Sequence, residues 1–265
     1  MRHFDTWFGA HQKIDRTARK HLDAVLPDSG FPKVRLITRF EGQDGPDGIK
    51  RKNPAKDEPW HYIDPFDAND DQILGVIGSH YEQLVTALRE HDEVRAAFEA
   101  AWLSHAIVDG LTPAHHYPYE AELIKLRGGK GIESRTTPKE KLILPGDTLP
   151  KQLNNNWKMW GDKGLLSTHF AFEWGVAAII APLRLRRSLP TAEQMNQARR
   201  LGAAKLFHKR ARQIAELRMY DQFYRSGWTP RLARQVRREL APTIINTVTL
   251  AWYVAAMEAS RKGNV

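Results

Sequence analysis

A chain of 265 residues, 42% apolar and 27% charged, has the composition of a globular protein large enough for one substantial core, and excludes disordered and fibrous classes. It contains no cysteine, which excludes disulfides and thiolate metal sites and leaves His, Asp and Glu as metal ligands. The net charge of +9 suits phosphate-bearing partners and is concentrated late, with 15 Lys/Arg against 4 Asp/Glu between Arg184 and Leu240.

Such a basic run is also commonly no more than a solvated helix face. No run of about 18 apolar residues occurs, so no transmembrane segment is expected. The most apolar stretch read from the sequence, Val176 to Leu183, is short and is followed by Arg184, Arg186 and Arg187. The N-terminal MRHFDTWFGAHQK lacks an apolar h-region, so the expected location is cytoplasmic, or secreted if the chain is an already processed form.

Helical patterning dominates. A first helix is expected over His11 to Leu26, with Ile14, Ala18, Leu22 and Val25 on one stripe. Val34 to Arg39 (VRLITR) is the best strand candidate, and it is isolated. Gly42 to Asp67 reads as a polar Gly/Pro-rich loop. Asp70 or Asp71 is placed to cap a second helix reaching about His91, with Ile73, Val76, Ile77, Leu84 and Leu88 inward. Asp92 caps a third, Glu93 to Asp109, which stops near Gly110 and Pro113. Residues 117–163, with RGGKG, several prolines and NNN, read as a long loop, a length often tied to function or mobility. A fourth helix is expected over Gly164 to Leu185. Thr191 caps a fifth running to about Tyr224. Pro230 opens a sixth to about Arg261, disturbed near Pro242. The expected fold is therefore all-α: one multi-helix domain over residues 1–265, built around a His/Asp/Glu metal cluster, with the 117–163 loop and basic helices over 184–265.

The metal cluster is expected from two helices. On the third, the face bearing Val94, Phe98, Ala101 and Trp102 continues through His105 and Asp109, which are i and i+4 and so one turn apart. Ionisable groups on a buried face are costly unless paired or bound to metal. His115 and His116 follow the turn. On the fourth helix His169 and Glu173 repeat the i, i+4 device on a face that continues through Val176 and Ile180. One such pair is ordinarily a salt bridge or a satisfied core histidine; two of them with His115 point to imidazole and carboxylate ligands for zinc. His80 reads as a packed or hydrogen-bonded core residue, His116 as pointing away from His115, and His208 as solvated surface. His3, His21 and His91 carry no signal. Trp60, Tyr62 and Tyr117 are aromatics near the site that suit stacking on a base or contact with lipid, or simply the core.

The segment WLSHAIVDGLTPAHH (102–116) resembles the signature of bacterial zinc-dependent phospholipases C and of fungal and plant single-strand-specific zinc nucleases. That signature has a His, an Asp four residues on, a Pro in the turn and a second His, here His105, Asp109, Pro113 and His115. His169/Glu173 matches the phospholipase form of the second pair, where the nucleases more often carry Asp. WHYID (60–64) is similar to the family segment holding another ligand, here His61. An aspartate about fourteen residues earlier matches Asp47, with Asp44 close by, and the family's N-terminal helical histidine matches His11.

The resemblance covers roughly residues 7–177. It implies a helical bundle holding His11, Asp47, His61, His105, Asp109, His115, His169 and Glu173 around two or three zinc ions. It also implies phosphodiester hydrolysis, with Asp109 bridging metals and Asp47 as the candidate general base. Family members begin at a tryptophan whose amine and carbonyl bind one zinc, whereas Trp7 is internal here. The interval from His115 to His169 is longer than the family's, and the basic stretch after Arg184 has no matched counterpart. A phospholipase C-like phosphodiesterase is the first expectation, with phospholipid or nucleic acid as substrate and a peripheral contact with an anionic membrane. A single-strand nuclease is the second, favoured by net basic charge. The third is a non-catalytic helical protein docking on an acidic partner through its basic helices.

Overall fold

The structure, a computed structural model, describes residues 9–42 and 44–261. Among them every regular element is helical, as expected. In chain order these are α1 (Ala10–Val25), α2 (Val34–Arg39), α3 (Pro46–Lys52), α4 (Gln72–Arg89), α5 (Glu93–Leu111), α6 (Tyr119–Leu126), α7 (Pro138–Leu142), α8 (Leu149–Trp160), α9 (Leu165–Ile180), α10 (Ala192–Glu216), α11 (Met219–Ser226), α12 (Pro230–Gln235) and α13 (Ala241–Ala259). His3 and Trp7 lie outside the described residues.

Two helices, α5 and α13, form the centre. α13 packs on α1, α4, α5 and α10, and α5 packs on α1, α2, α4 and α10. Asp92 starts α5 by accepting a hydrogen bond from the Arg95 amide (2.9 Å), satisfying a donor that the first turn leaves free. From Ala96 onward α5 is almost wholly enclosed, because Ala96, Ala97, Ala100, Ala101 and Ala106 let neighbouring helices come close. Trp252 of α13 is fully buried against it and donates its indole N–H to the Ala100 carbonyl (3.1 Å). Val94, expected on the inward face, is exposed at the start of the helix, before this enclosure begins.

Several expected boundaries shift for identifiable reasons. VRLITR is the helix α2, not a strand. An isolated strand has no partner for its backbone groups, whereas a helical turn satisfies them internally and docks Ile37 between α1 and α5. The 42–67 loop contains α3 and a short turn at Ala55–Asp57. The 117–163 loop is largely helical, and its Tyr119, Leu123, Leu144 and Met159 form a small core with Leu166 of α9. In both, prolines that read as breakers open helices instead: Pro46, Pro138 and Pro150 stand in the first turn of α3, α7 and α8. Thr137 and Glu140 add a capping box to α7. Neither Asp70 nor Asp71 caps α4 through its side chain; Asp70 instead accepts from the Asp64 amide (2.7 Å).

The fourth expected helix ends at Ile180, short of Leu185. The fifth is broken at Gly202 (φ +75°) and ends at Glu216, leaving Tyr224 in α11. The disturbance near Pro242 is a π-helical turn at Val236–Leu240, where the proline's missing amide proton breaks the helical ladder. Contrary to the expectation from apolar runs, the stretch Pro230–Ala259 contains an 18-residue window long and apolar enough to cross a membrane by length and composition. In the fold 83% of that apolar window is buried among the other helices. The basic residues Arg199, Arg200, Lys205, Lys209 and Arg212 lie exposed along α10.

Gly110 follows Asp109 at the closest approach of α5 to its neighbours. A Cβ there would sit 2.5 Å from Phe207 Cζ and 2.6 Å from Ile73 Cδ1. Gly110→Ala should therefore force α4 and α10 apart and cost about 1–3 kcal/mol by overpacking. Chemical denaturation of the variant checks this, and unchanged stability would contradict the packing.

Candidate metal centre

α5 carries His105 and Asp109 into the core, where both are buried. The first turn of α1 brings His11 against them. The His11 and His105 rings stack, with centroids 4.3 Å apart and planes 19° from parallel. The stack spans two carboxylates. On one side His105 Nδ1 donates to Glu41 Oε1 (2.8 Å), and His11 Nδ1 lies 3.0 Å from the same oxygen. On the other side His11 Nε2 is 3.2 Å from Asp109 Oδ1 and His105 Nε2 is 3.1 Å from Asp109 Oδ2. Asp109 thus presents one oxygen to each imidazole, the arrangement of a bridging carboxylate. Glu41 holds the far nitrogen of His105, as an outer carboxylate does for a metal-ligating histidine.

The second cluster lies beside the first. His115 Nε2 and His169 Nε2 both converge on Glu173 Oε1, at 2.8 and 3.2 Å. His115 Nδ1 donates to the His61 carbonyl (3.0 Å), and the Ile63 amide donates back to the His115 carbonyl (3.1 Å), so the segment bearing His61 is laced to the turn bearing His115. With Nδ1 spent on the backbone, only Nε2 of His115 faces the cluster. His61 follows the same rule, its Nδ1 donating to the Pro59 carbonyl (2.8 Å). Its ring centroid is 5.1 Å from that of His115.

Lys50 stands among these groups. Its ammonium donates to Asp109 Oδ2 (3.1 Å) and lies 3.6 Å from Asp47 Oδ1 and 3.5 Å from His105 Nε2. α3 supplies both residues, three apart on one face. All of these groups except His105, which lies behind Asp109, line one cavity of roughly 870 Å³. Its further walls come from the 117–163 segment, through Glu120, Leu123, Arg135 and Leu142.

The charges explain one another. Burial would raise Asp109, but His105, Lys50 and His115 outweigh it and hold the carboxyl well below the ordinary range. Burial is likewise overcome at Glu173, which His169 and His115 hold well below its usual value. Burial would lower His11 and His105, but Glu41 and Asp109 push His11 well up, and Asp109 and Glu41 bring His105 to about 9. His61 goes the other way: burial, Lys50 and His115 push it well below 6.5, leaving a neutral ring with a free lone pair. Behind the cluster, burial and Glu41 push Asp15 well up, and Ser104 donates to its carboxyl.

The donor set fits a metal. Buried Glu41 Oε2 and His169 Nδ1 have no hydrogen-bond partner. His11, Glu41 and His105, and separately His115, His169 and Glu173, each present ligand atoms within 4.8 Å of one another. Carboxylates and imidazoles without thiolates suit zinc or a related divalent ion.

Of the eight residues expected at the site, His11, Asp47, His61, Asp109, His115, His169 and Glu173 line this cavity, and His105 is buried just behind its wall, 3.1 Å from Asp109 Oδ2. Asp44 does not; it is exposed, 4.0 Å from Arg39. His80 donates to buried Glu99 (2.6 Å), and His116 donates to the Gly110 carbonyl (2.9 Å), both away from the cluster. Trp60 and Tyr62 line the cavity, whereas Tyr117 packs on Tyr220 outside it. Glu41 and Lys50 escaped the sequence reading. Glu41 sits in an irregular turn with no periodic signal, and Lys50 is one of three basic residues in a row. No protein-family model, no curated protein and no solved structure matches the chain, so the site is read from its own residues.

The raised imidazoles set a pH dependence. A basic group that titrates higher folded than unfolded stabilises the fold fully below its unfolded value, about 6.5 for histidine. That stabilisation is lost as pH rises through the folded value, about 9 for His105. Chelator-treated protein should therefore lose thermal stability between these pH values, and His105→Gln should flatten the loss. A melting temperature constant across that range would contradict the ion pairing described.

Proposed function

We propose that the protein is a metal-dependent phosphodiester hydrolase with a site similar to that of the zinc-dependent phospholipases C. The observation that carries this reading is the convergence of Asp109 of α5, backed by His105, and the His169/Glu173 pair of α9 with His11, His61, His115 and Asp47 on one cavity. The carboxylates of Glu41, Asp47, Asp109 and Glu173 need positive charge beyond the Lys50 ammonium; protons on His11 and His105 supply it here, and divalent cations on the neutral imidazoles would supply it instead.

His115, His169 and Glu173 would hold one ion. Asp109 would be shared between a second at His105 and a third at His11, with His61 and Asp47 completing the set. An ion held there supplies positive charge to a phosphoryl oxygen and an acidified water. The chain's own groups do the rest. Burial would raise Asp47, but His105 and Lys50 keep it ionised at the cavity surface, where it can orient a water and accept its proton. Lys50 is placed to contact a phosphate oxygen. Glu41 fixes the orientation of His105.

Among phosphodiesters, a lipid headgroup is favoured over a nucleic-acid base. Tyr62 and Tyr119 already stack on each other (5.4 Å, 4°), so those faces are not open to a base. The cavity rim is apolar at Leu142, Phe170 and Trp174.

Elemental analysis of untagged protein, with hydrolysis of a p-nitrophenyl phosphodiester and of dispersed phosphatidylcholine, tests the proposal. Zinc should be present, and His105→Ala and His169→Ala should each lower both its content and the activity. Glu41→Gln should weaken metal binding by about 10- to 100-fold through loss of orientation. Lys50→Met should tighten it by about tenfold or more, because a like charge a few ångströms away opposes the ion. Wild-type protein that takes up no zinc when zinc is supplied would sink the proposal and favour a non-catalytic protein docking through its basic helices.

A further inference from the structure

The segment from α7 to α9 inverts the usual placement of apolar and polar side chains. On α8, Leu149, Leu153, Trp157 and Trp160 recur at i, i+4, i+8 and i+11, the spacing of a core-facing stripe. In the fold that stripe faces outward, with Leu149 75%, Leu153 71% and Trp157 68% exposed. The inward face is largely amide. Asn156 accepts from the Leu144 amide (3.0 Å) and donates to its carbonyl (2.9 Å), and Met159 is the residue of α8 that enters the small core.

The exposed apolar surface is continuous. Trp160 donates to the Leu142 carbonyl (2.6 Å) and its ring lies 6.3 Å from that of Phe170. One turn along α9 from Phe170 is Trp174, 79% exposed. Leu142, Phe170 and Trp174 are themselves part of the cavity rim, so the apolar surface runs from α8 to the mouth of the candidate metal centre.

Cations flank it. α9 packs on α11 and on the π-helical turn after α12. Exposed on α11, on α12 and on that turn are Arg225, Arg231, Arg234, Arg237 and Arg238, with Asp221 and Glu239 the acids of these three elements. Lys158 projects from α8, and Lys163 lies over the Tyr224 ring (5.7 Å), joining the two sides.

We propose that this face is a docking surface for an anionic phospholipid bilayer, with Leu149, Leu153 and Trp157 entering the interfacial layer and the flanking arginines on the headgroups. An exposed contiguous apolar patch marks an interaction site. Tryptophan beside aliphatic side chains and cations is the composition of an interfacial helix, because the indole combines a large apolar body with a polar N–H and arginine meets the anionic surface. A protein groove would match the apolar stripe alone and leave the cationic flank without a counterpart. The docking would set the cavity mouth against the bilayer. It goes beyond the hydrolase reading and does not require it, since no residue of the stripe belongs to the cavity lining.

The test is flotation with vesicles of phosphatidylcholine mixed with phosphatidylglycerol, using the full chain both zinc-supplied and chelator-treated, so that failure of docking and failure of the metal site are read separately. Wild type should float in both states and shift its tryptophan emission to the blue. Added salt, or vesicles of phosphatidylcholine alone, should weaken partitioning. Leu153→Ser combined with Trp157→Ser should reduce it by at least about tenfold, with an unchanged melting temperature because both side chains are exposed. No flotation of wild type at low salt would overturn the proposal. So would full partitioning of the double variant, which would place binding on the arginines alone. A dimer in solution that the double variant dissociates would assign the stripe to a second copy of the chain and overturn it as well.

Discussion

One buried carboxylate, Asp109, organises the molecule. A negative charge inside a helical bundle is costly unless opposite charges surround it. Here two stacked imidazoles and one ammonium do so, at 3.2, 3.1 and 3.1 Å. Meeting that requirement fixes much else. α1 must end its approach with His11 over His105, α3 must fold so that Lys50 reaches inward, and Glu41 must be buried to hold the far side of both rings. The neighbouring glycine lets α4 and α10 close on α5, so that the carboxylate sits in a rigid wall. The cluster is therefore both an element of the core and its principal liability, with a charge balance that protons on histidine or bound cations can satisfy.

The second cluster is built on different terms. His115, His169 and Glu173 come from a short turn and from α9, and Glu173 is only partly enclosed. One wall of the cavity is contributed by the 117–163 segment, which forms a small core with Leu166 of α9. The central bundle thus supplies the fixed ligand-bearing helices, and the added segment supplies the cavity wall and an outward apolar face. On the proposed reading, the groups that would hold metal and orient water come from α1, α3, α5, α9 and the segments bearing His61 and His115, and α6–α8 shape the approach to them.

Much of the fold and of the candidate site was legible from residue spacing. The i, i+4 pairs survive translation into structure because helical periodicity places them on one face whatever the tertiary context. His11, Asp47 and His61, all three matched by resemblance, also line the cavity. What escaped depended on tertiary context. Glu41 is an acid in an irregular turn, and its burial is decided by α1 and α5 rather than by its neighbours. Lys50 is one of three consecutive basic residues in a stretch that composition presents as a loop, and only the folding of α3 turns it inward. VRLITR was ambiguous because a short apolar run has no length with which to distinguish strand from helix. Prolines misled in 42–67 and 117–163 because the same residue that ends a helix also opens one. The outward stripe of α8 carries the periodicity of a core helix, and only its neighbours show that it faces solvent.

The central claim is that the stacked pair over Asp109 and the trio at Glu173 are two parts of one metal centre. A crystal structure of zinc-supplied protein, with anomalous difference maps at the zinc edge, tests it most directly. The account predicts separate peaks about 2.0–2.2 Å from imidazole nitrogens and carboxylate oxygens, one bounded by His115, His169 and Glu173 and at least one at Asp109. Anomalous density confined to surface histidines, with Lys50 still paired to Asp109 and both clusters unchanged, would contradict it.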